Sequence, residues 1–131
     1  MKFHHIGILV GDLEQGKASL GILIANMFWE EVIEDIGLGV KVLFGEDATG
    51  VRYELVAPIN NQSPISNYLK TRDNMLHHLA YTVDNFDEKC IELRNLRLML
   101  LSAPMPATAF GGKKVAFFLT PLRTILEIIE E

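Results

Sequence analysis

An internal repeat constrains this chain more than any other feature. His4-His5-Ile6-Gly7-Ile8-Leu9-Val10 is matched 73 residues later by His77-His78-Leu79-Ala80-Tyr81-Thr82-Val83. The same offset, without a gap, carries Gly39 onto Gly112 and Lys41-Val42-Leu43-Phe44 onto Lys114-Val115-Ala116-Phe117. It also carries Tyr53-Glu54-Leu55-Val56 onto Leu126-Glu127-Ile128-Ile129. Self-similarity at a fixed spacing means one supersecondary unit used twice, and duplication is its simplest origin.

Each half reads in the same order: an apolar strand, a helix, then three strands. In the first half, residues 2–10 form a strand, Asp12 caps a helix over 13–26, and residues 28–35, 39–45 and 51–58 are strands. The second half repeats this with strands at 76–83, 98–102, 113–119 and 124–130 and a helix over 86–96. The result is an α+β class domain made of two βαβββ modules, 1–58 and 74–131. Linker 59–73 joins them; its Pro58 to Pro64 stretch is rich in turn residues, and a short helix is expected over 64–70. Prolines and Gly111-Gly112 mark 102–112 as a loop.

Alternation along a strand assigns faces. His4, Ile6, Ile8 and Val10 are expected on the face that packs under the helices, so His5 points the other way beside the small Gly7. In the second module His77, Leu79, Tyr81 and Val83 face the helix, and His78 lies beside Ala80 and Thr82. Glu54 points opposite Tyr53 and Leu55, and Glu127 opposite Leu126 and Ile128. One His and one Glu per module thus occupy repeat-equivalent positions in strands that read as buried. Taken singly, a strand His is more often structural and a strand-end Glu more often solvated. Coincidence would have to strike the same two repeat positions twice.

A buried carboxylate without a partner costs several kcal/mol, so two of them need a counter-charge. One divalent metal ion supplies it. Two imidazoles and two carboxylates, His5, Glu54, His78 and Glu127, form a mixed nitrogen and oxygen set suited to nickel, cobalt, zinc, manganese or iron.

Composition narrows the partners. A net charge of -5 leaves no basic face for nucleic acid, so small molecules are the expected ligands. The single cysteine, Cys90, rules out an internal disulfide and a cysteine-based zinc cluster. Two histidines stand where a signal peptide would have its apolar run, and no stretch reaches membrane-spanning length. A soluble, cytoplasmic protein without a membrane partner is expected.

Through these residues the chain resembles the vicinal oxygen chelate superfamily of glyoxalase I, methylmalonyl-CoA epimerase, extradiol dioxygenases, and fosfomycin and bleomycin resistance proteins. The resemblance implies an open, cupped mixed sheet around one metal, with ligands from the first and last strands of each module. By position those ligands are His5, Glu54, His78 and Glu127. The His/Glu/His/Glu set looks like bacterial glyoxalase I. Tyr53-Glu54-Leu55-Val56-Ala57-Pro58, Ser63-Pro64-Ile65, Tyr68-Leu69, His77-His78 and Val83-Asp84-Asn85 are similar to the methylmalonyl-CoA epimerase group. The chemistry implied is proton transfer next to a carbonyl through a metal-stabilised enolate, with Glu127 as the main acid/base and Glu54 as its counterpart. An acyl-CoA or a thiol conjugate is the implied substrate, and a homodimer the implied assembly. The alternatives are a glyoxalase I-like lactoylglutathione lyase and a metal-free drug-binding resistance protein. In one respect the chain departs from the epimerases, which carry a second acidic residue just before the third strand. The nearest positions here are Gly37-Leu38-Gly39, with Glu34 and Asp35 close by. Lys113 and Lys114 are candidates for a substrate anion, although strand-edge solubility explains them as well. Phe28, Trp29 and Phe44 are candidates for the cup lining.

Overall fold

A computed structural model describes residues 1–70 and 74–131. β1 (Lys2–Val10) is followed by α1 (Leu13–Leu23), β2 (Phe28–Trp29), β3 (Ile33–Asp35), β4 (Val40–Glu46) and β5 (Arg52–Pro58). One turn of helix, α2 (Ser66–Leu69), precedes β6 (Asn74–Val83), α3 (Phe86–Asn95), β7 (Met99–Leu100) and β8 (Met105–Pro106). A 3-10 turn (Thr108–Phe110), β9 (Lys114–Leu119) and β10 (Ile125–Glu130) complete the chain. The expected linker over 59–73 ends in residues 71–73, which lie outside the described residues.

The ten strands among the described residues form one mixed sheet. Its main path runs β2-β4-β5-β1-β6-β10-β9-β7 and ends without closing, with β3 added on β4 and β8 on β9. β1 runs parallel to β5 and antiparallel to β6, and β6 runs parallel to β10. The first strands of the two halves therefore meet at the centre, each with the last strand of its own half on its outer side.

Away from the β1–β6 seam both faces of the sheet are covered, which is why its flanking strands carry apolar residues at adjacent positions. On the helix side Val10, Leu43, Leu55 and Ala57 pack with Leu13 of α1, and Ala116, Phe118 and Ile128 pack with Phe86, Cys90 and Leu93 of α3. On the other side Leu9, Val40, Val42, Phe44 and Val56 form one apolar wall and Ala80, Val115 and Ile129 another. Leu38 and Phe110 touch both walls.

Asp12 caps α1 as expected, its Oδ1 accepting from the Gln15 N–H at 2.8 Å. The helix stops at Leu23 rather than 26, and Asn26 adopts a left-handed φ of 60°. The strand expected over 28–35 is two pieces. Trp29 pairs with Gly45 but Ile33 with Val42, so one extra residue is inserted between them, the signature of a bulge. The loop expected over 102–112 contains β8 and the 3-10 turn. Gly111 and Gly112 end that turn at φ values of 67° and 87°, which glycine adopts without steric cost.

Candidate metal centre

The pairing register explains how four side chains from four strands meet. Gly7 lies between Glu54 on β5 and His78 on β6. Ala80 lies between Glu127 on β10 and His5 on β1. Each histidine is thus opposite the small residue of the other half, and that small residue makes room for its ring. A Cβ built on Gly7 would fall 1.9 Å from His78 Cε1 and 2.2 Å from Nε2, so no other residue fits there without moving the ring.

All four expected ligands are buried and converge. His5 Nε2 lies 3.0 Å from His78 Nε2 and 3.2 and 3.3 Å from Glu54 Oε2 and Glu127 Oε2. His78 Nε2 is 3.2 Å from each of the same two oxygens. Donors held at about 2.0–2.2 Å from one ion sit about 2.8–3.6 Å apart at octahedral to tetrahedral angles, so this spacing fits a divalent cation. Glu127 Oε2 supports the fit: it is buried, lies 3.3 and 3.2 Å from the two Nε2 atoms, and has no hydrogen bond of good geometry.

The electrostatics describe a site waiting for positive charge. Burial alone would lower His78, but Glu127 and Glu54 outweigh it and push its pKa up to about 10. Burial alone would raise Glu54, but His5 and His78 outweigh it and hold it down at about 2. His5 is raised and Glu127 lowered by the same balance. Without a cation, protons on the imidazoles take its place.

Alternation assigns His4 and His77 to the helix face, and the structure corrects this. Register shifts between Phe3 and His5 and between Gly7 and Ile8 leave His4 and His77 unmatched across the β1–β6 seam. A bulge lets neighbouring residues share a face. His4 Nδ1 lies 2.7 Å from His5 Nδ1, and His77 Nδ1 lies 2.7 Å from His78 Nδ1. With the Nε2 atoms turned to the centre, each site ring carries its proton on Nδ1 and donates it to the preceding histidine, fixing tautomer and orientation. Burial, then the charge of the neighbouring site histidine, lowers both partners, His77 to about 4, so they stay neutral acceptors.

The centre opens into a cavity of about 320 Å³ bounded by Leu9, Val42, Val56, Ile65, Phe110 and Phe117, with Glu54, His78 and Glu127 at its floor. Asp35 also borders it, buried, but neither oxygen is free: Oδ1 accepts from the Leu38 N–H at 3.0 Å and Oδ2 from the Thr108 N–H at 2.7 Å. Glu34 lies on the surface near Lys41.

Lys114 is not a cavity residue. It pairs with Asp87 of α3 at 3.0 Å and lies over the Phe86 ring, on the helix side. Lys113 is exposed and does not border the cavity. Arg52 covers the Phe44 ring and pairs with Glu30 at 2.9 Å. Of the three aromatic candidates, Phe44 packs against His5, Trp29 joins the α1 core, and Phe28 is exposed.

The model of the Glyoxalase/Bleomycin resistance protein/Dioxygenase superfamily matches residues 4–117. Mitochondrial methylmalonyl-CoA epimerase of Bos taurus is 30% identical over 124 residues, covering 92% of this chain and 67% of the bovine protein. The uncharacterized protein YqjC of Bacillus subtilis is 25% identical over 130 residues, covering 98% of this chain and 89% of its own length. The crystal structure of methylmalonyl-CoA epimerase from Mycobacterium tuberculosis superposes with a TM-score of 0.81 at 22% identity, over 98% of this chain and 87% of that one. At that identity the superposition speaks for the fold.

Proposed function

Because this chain belongs to the Glyoxalase/Bleomycin resistance protein/Dioxygenase superfamily, we propose that it is a metal-dependent enzyme of the methylmalonyl-CoA epimerase kind, moving a proton at the carbon next to an acyl-CoA carbonyl. The observation that carries this reading is the convergence of His5, Glu54, His78 and Glu127 on the floor of an otherwise apolar cavity. Its identity to the bovine epimerase supports the substrate class.

In this reading the four residues hold one divalent ion, with nickel, cobalt, zinc and manganese as candidates. When bound, the ion supplies Lewis-acid stabilisation of the negative charge that develops on the substrate oxygen as the proton leaves. Glu127, on the cavity floor beside the metal position, takes the proton. Glu54 is its counterpart across the site. His4 and His77 keep the ligand rings oriented, and the apolar walls keep water away, so that these charges act at full strength.

Mass-spectrometric measurement of solvent deuterium entering C2 of methylmalonyl-CoA with metal-loaded protein tests the proposal. Exchange that disappears in Glu127→Gln is the expected result; no exchange with any of the four metals sinks it. One observation favours a second reading, a glyoxalase I-like lyase. Gly37 offers no side chain, and Asp35, the third acid on the cavity wall, has both oxygens engaged by backbone N–H groups, so among the described residues no third acid is left to act as a base. Turnover of a hemithioacetal but not of the thioester would decide for it. A homodimer belongs to the same proposal, supported by the apolar stripe left uncovered over the β1–β6 seam.

A further inference from the structure

The cavity walls show what kind of substituent the substrate carries beside its reacting carbon. No lysine or arginine borders the cavity among the described residues. Of the basic residues on the flanking strands, Lys114 is committed to Asp87 on the helix side, Arg52 to Glu30 beyond Phe44, and Lys41 lies near Glu34 on the surface. Among the described residues the charged or titratable groups that line it are Asp35, Glu54, Glu127, His77, His78 and Tyr68. Three are carboxylates, so an anionic group beyond those the metal centre takes meets repulsion and no counter-charge. A substituent reaching into this space must be apolar.

Size carries the argument further. The space of about 320 Å³ is at the lower end of cavities that hold whole drug-sized ligands, roughly 300–1,000 Å³, and beside the malonyl thioester that the metal centre would hold, a methyl group reaches only part of the apolar wall. Leu9, Val42 and Val56 form the deep wall, and Ile65 and Met105 lie on approaching segments. At Gly37, a Cβ would meet nothing nearer than Asp35 Oδ1 at 3.4 Å, so the wall there is bare backbone. An apolar cavity filled by too small a group leaves wall atoms without contacts.

We propose that the natural substrate carries on its reacting carbon an apolar group bulkier than methyl, an extended or branched alkyl chain or an aromatic ring, seated between the two apolar walls. This rests on the acyl-CoA reading above, whose failure the test separates from its own. Deuterium incorporation at C2 is followed for the metal-loaded protein with methyl-, ethyl-, butyl- and benzylmalonyl-CoA. The expected result is a rise in kcat/KM of about 3- to 4-fold for each added methylene up to butyl, the gain from burying one such group. Ile65→Trp, a half-buried wall position outside the metal centre, is expected to cut the butyl-to-methyl ratio at least tenfold; being a ratio, it is insensitive to the amount of folded protein. Fastest exchange with methyl overturns the inference and leaves the acyl-CoA reading standing. Exchange with none of the four overturns both.

Discussion

At the scale of single residues the site is a set of buried histidines and carboxylates, drawn together closely enough to hold a cation and balanced in its absence by protons on the imidazoles. Glu127→Gln keeps shape but removes the proton acceptor, so turnover should fall by about 10²–10⁴-fold with far smaller effects on substrate binding. Full activity in that variant would move the base elsewhere. The outer histidines make a separate prediction. His4→Ala and His77→Ala each delete the acceptor 2.7 Å from a ligand ring, and metal affinity measured by chelator competition should drop about 10–100-fold. The four inner residues were legible because the repeat puts one His and one Glu at the same place twice. The two outer ones were hidden, since a period of two admits no bulge and assigned both to the helix face. Only the doubled His-His pair hinted that neighbouring histidines share a task.

Among elements, the centre depends on how closely β1 and β6 approach. Gly7→Ala places a methyl inside the His78 ring, 1.9 Å from Cε1, so ring or strand must shift. The variant should lose metal before it loses its fold, seen as elemental content falling while far-ultraviolet circular dichroism is kept. A native metal content would show that the seam yields more easily than its register implies. Asp35 ties the turn after β3 to the 3-10 turn of the other half through two backbone N–H groups. Removing it in Asp35→Ala strands two donors and should cost about 1–3 kcal/mol, measurable by urea unfolding. None of this tie was visible in the sequence, where Asp35 is one acid beside Glu34 in a polar stretch. The long strands and helices were visible because their apolar periods are sustained. The 28–35 strand and the 102–112 loop were misread because a bulge and a two-residue strand leave no period to detect.

For the molecule as a whole, the sheet seam outside the cup is an apolar stripe left without cover among the described residues. Phe3 and Leu76 are 48% and 66% exposed there, with Leu79 and Tyr81 beside them. Exposed apolar residues grouped along one stripe mark an association surface. The proposed homodimer, if it uses this stripe, should fall to monomer in Leu79→Asp by sedimentation while metal content is unchanged. A monomeric parent protein at micromolar concentration removes the dimer altogether.

The charge balance of the centre also reaches the stability of the whole chain. In metal-free protein His78 titrates near 10, against about 6.5 when unfolded. Its raised value means that the folded state holds a proton the unfolded state has lost, so its contribution is complete below pH 6.5 and drains away as pH climbs toward 10. Glu54, held at about 2, works in the opposite direction: its contribution is present above about pH 4.5 and is lost as pH falls toward 2. His77, lowered to about 4 by burial and by the charge on His78, subtracts stability as pH falls from 6.5 to 4, because the unfolded chain takes up the proton first. A bound divalent ion replaces the proton on His78, so the loss above neutrality should vanish and metal binding should release protons. Paired thermal melts from pH 6.5 to 9 should therefore show Tm falling for the metal-free protein, nearly constant for the loaded one, and a gap that widens with pH. A metal-free Tm that rises across that window would mean the imidazoles are not protonated in the empty site, and that Glu54 and Glu127 find their counter-charge elsewhere.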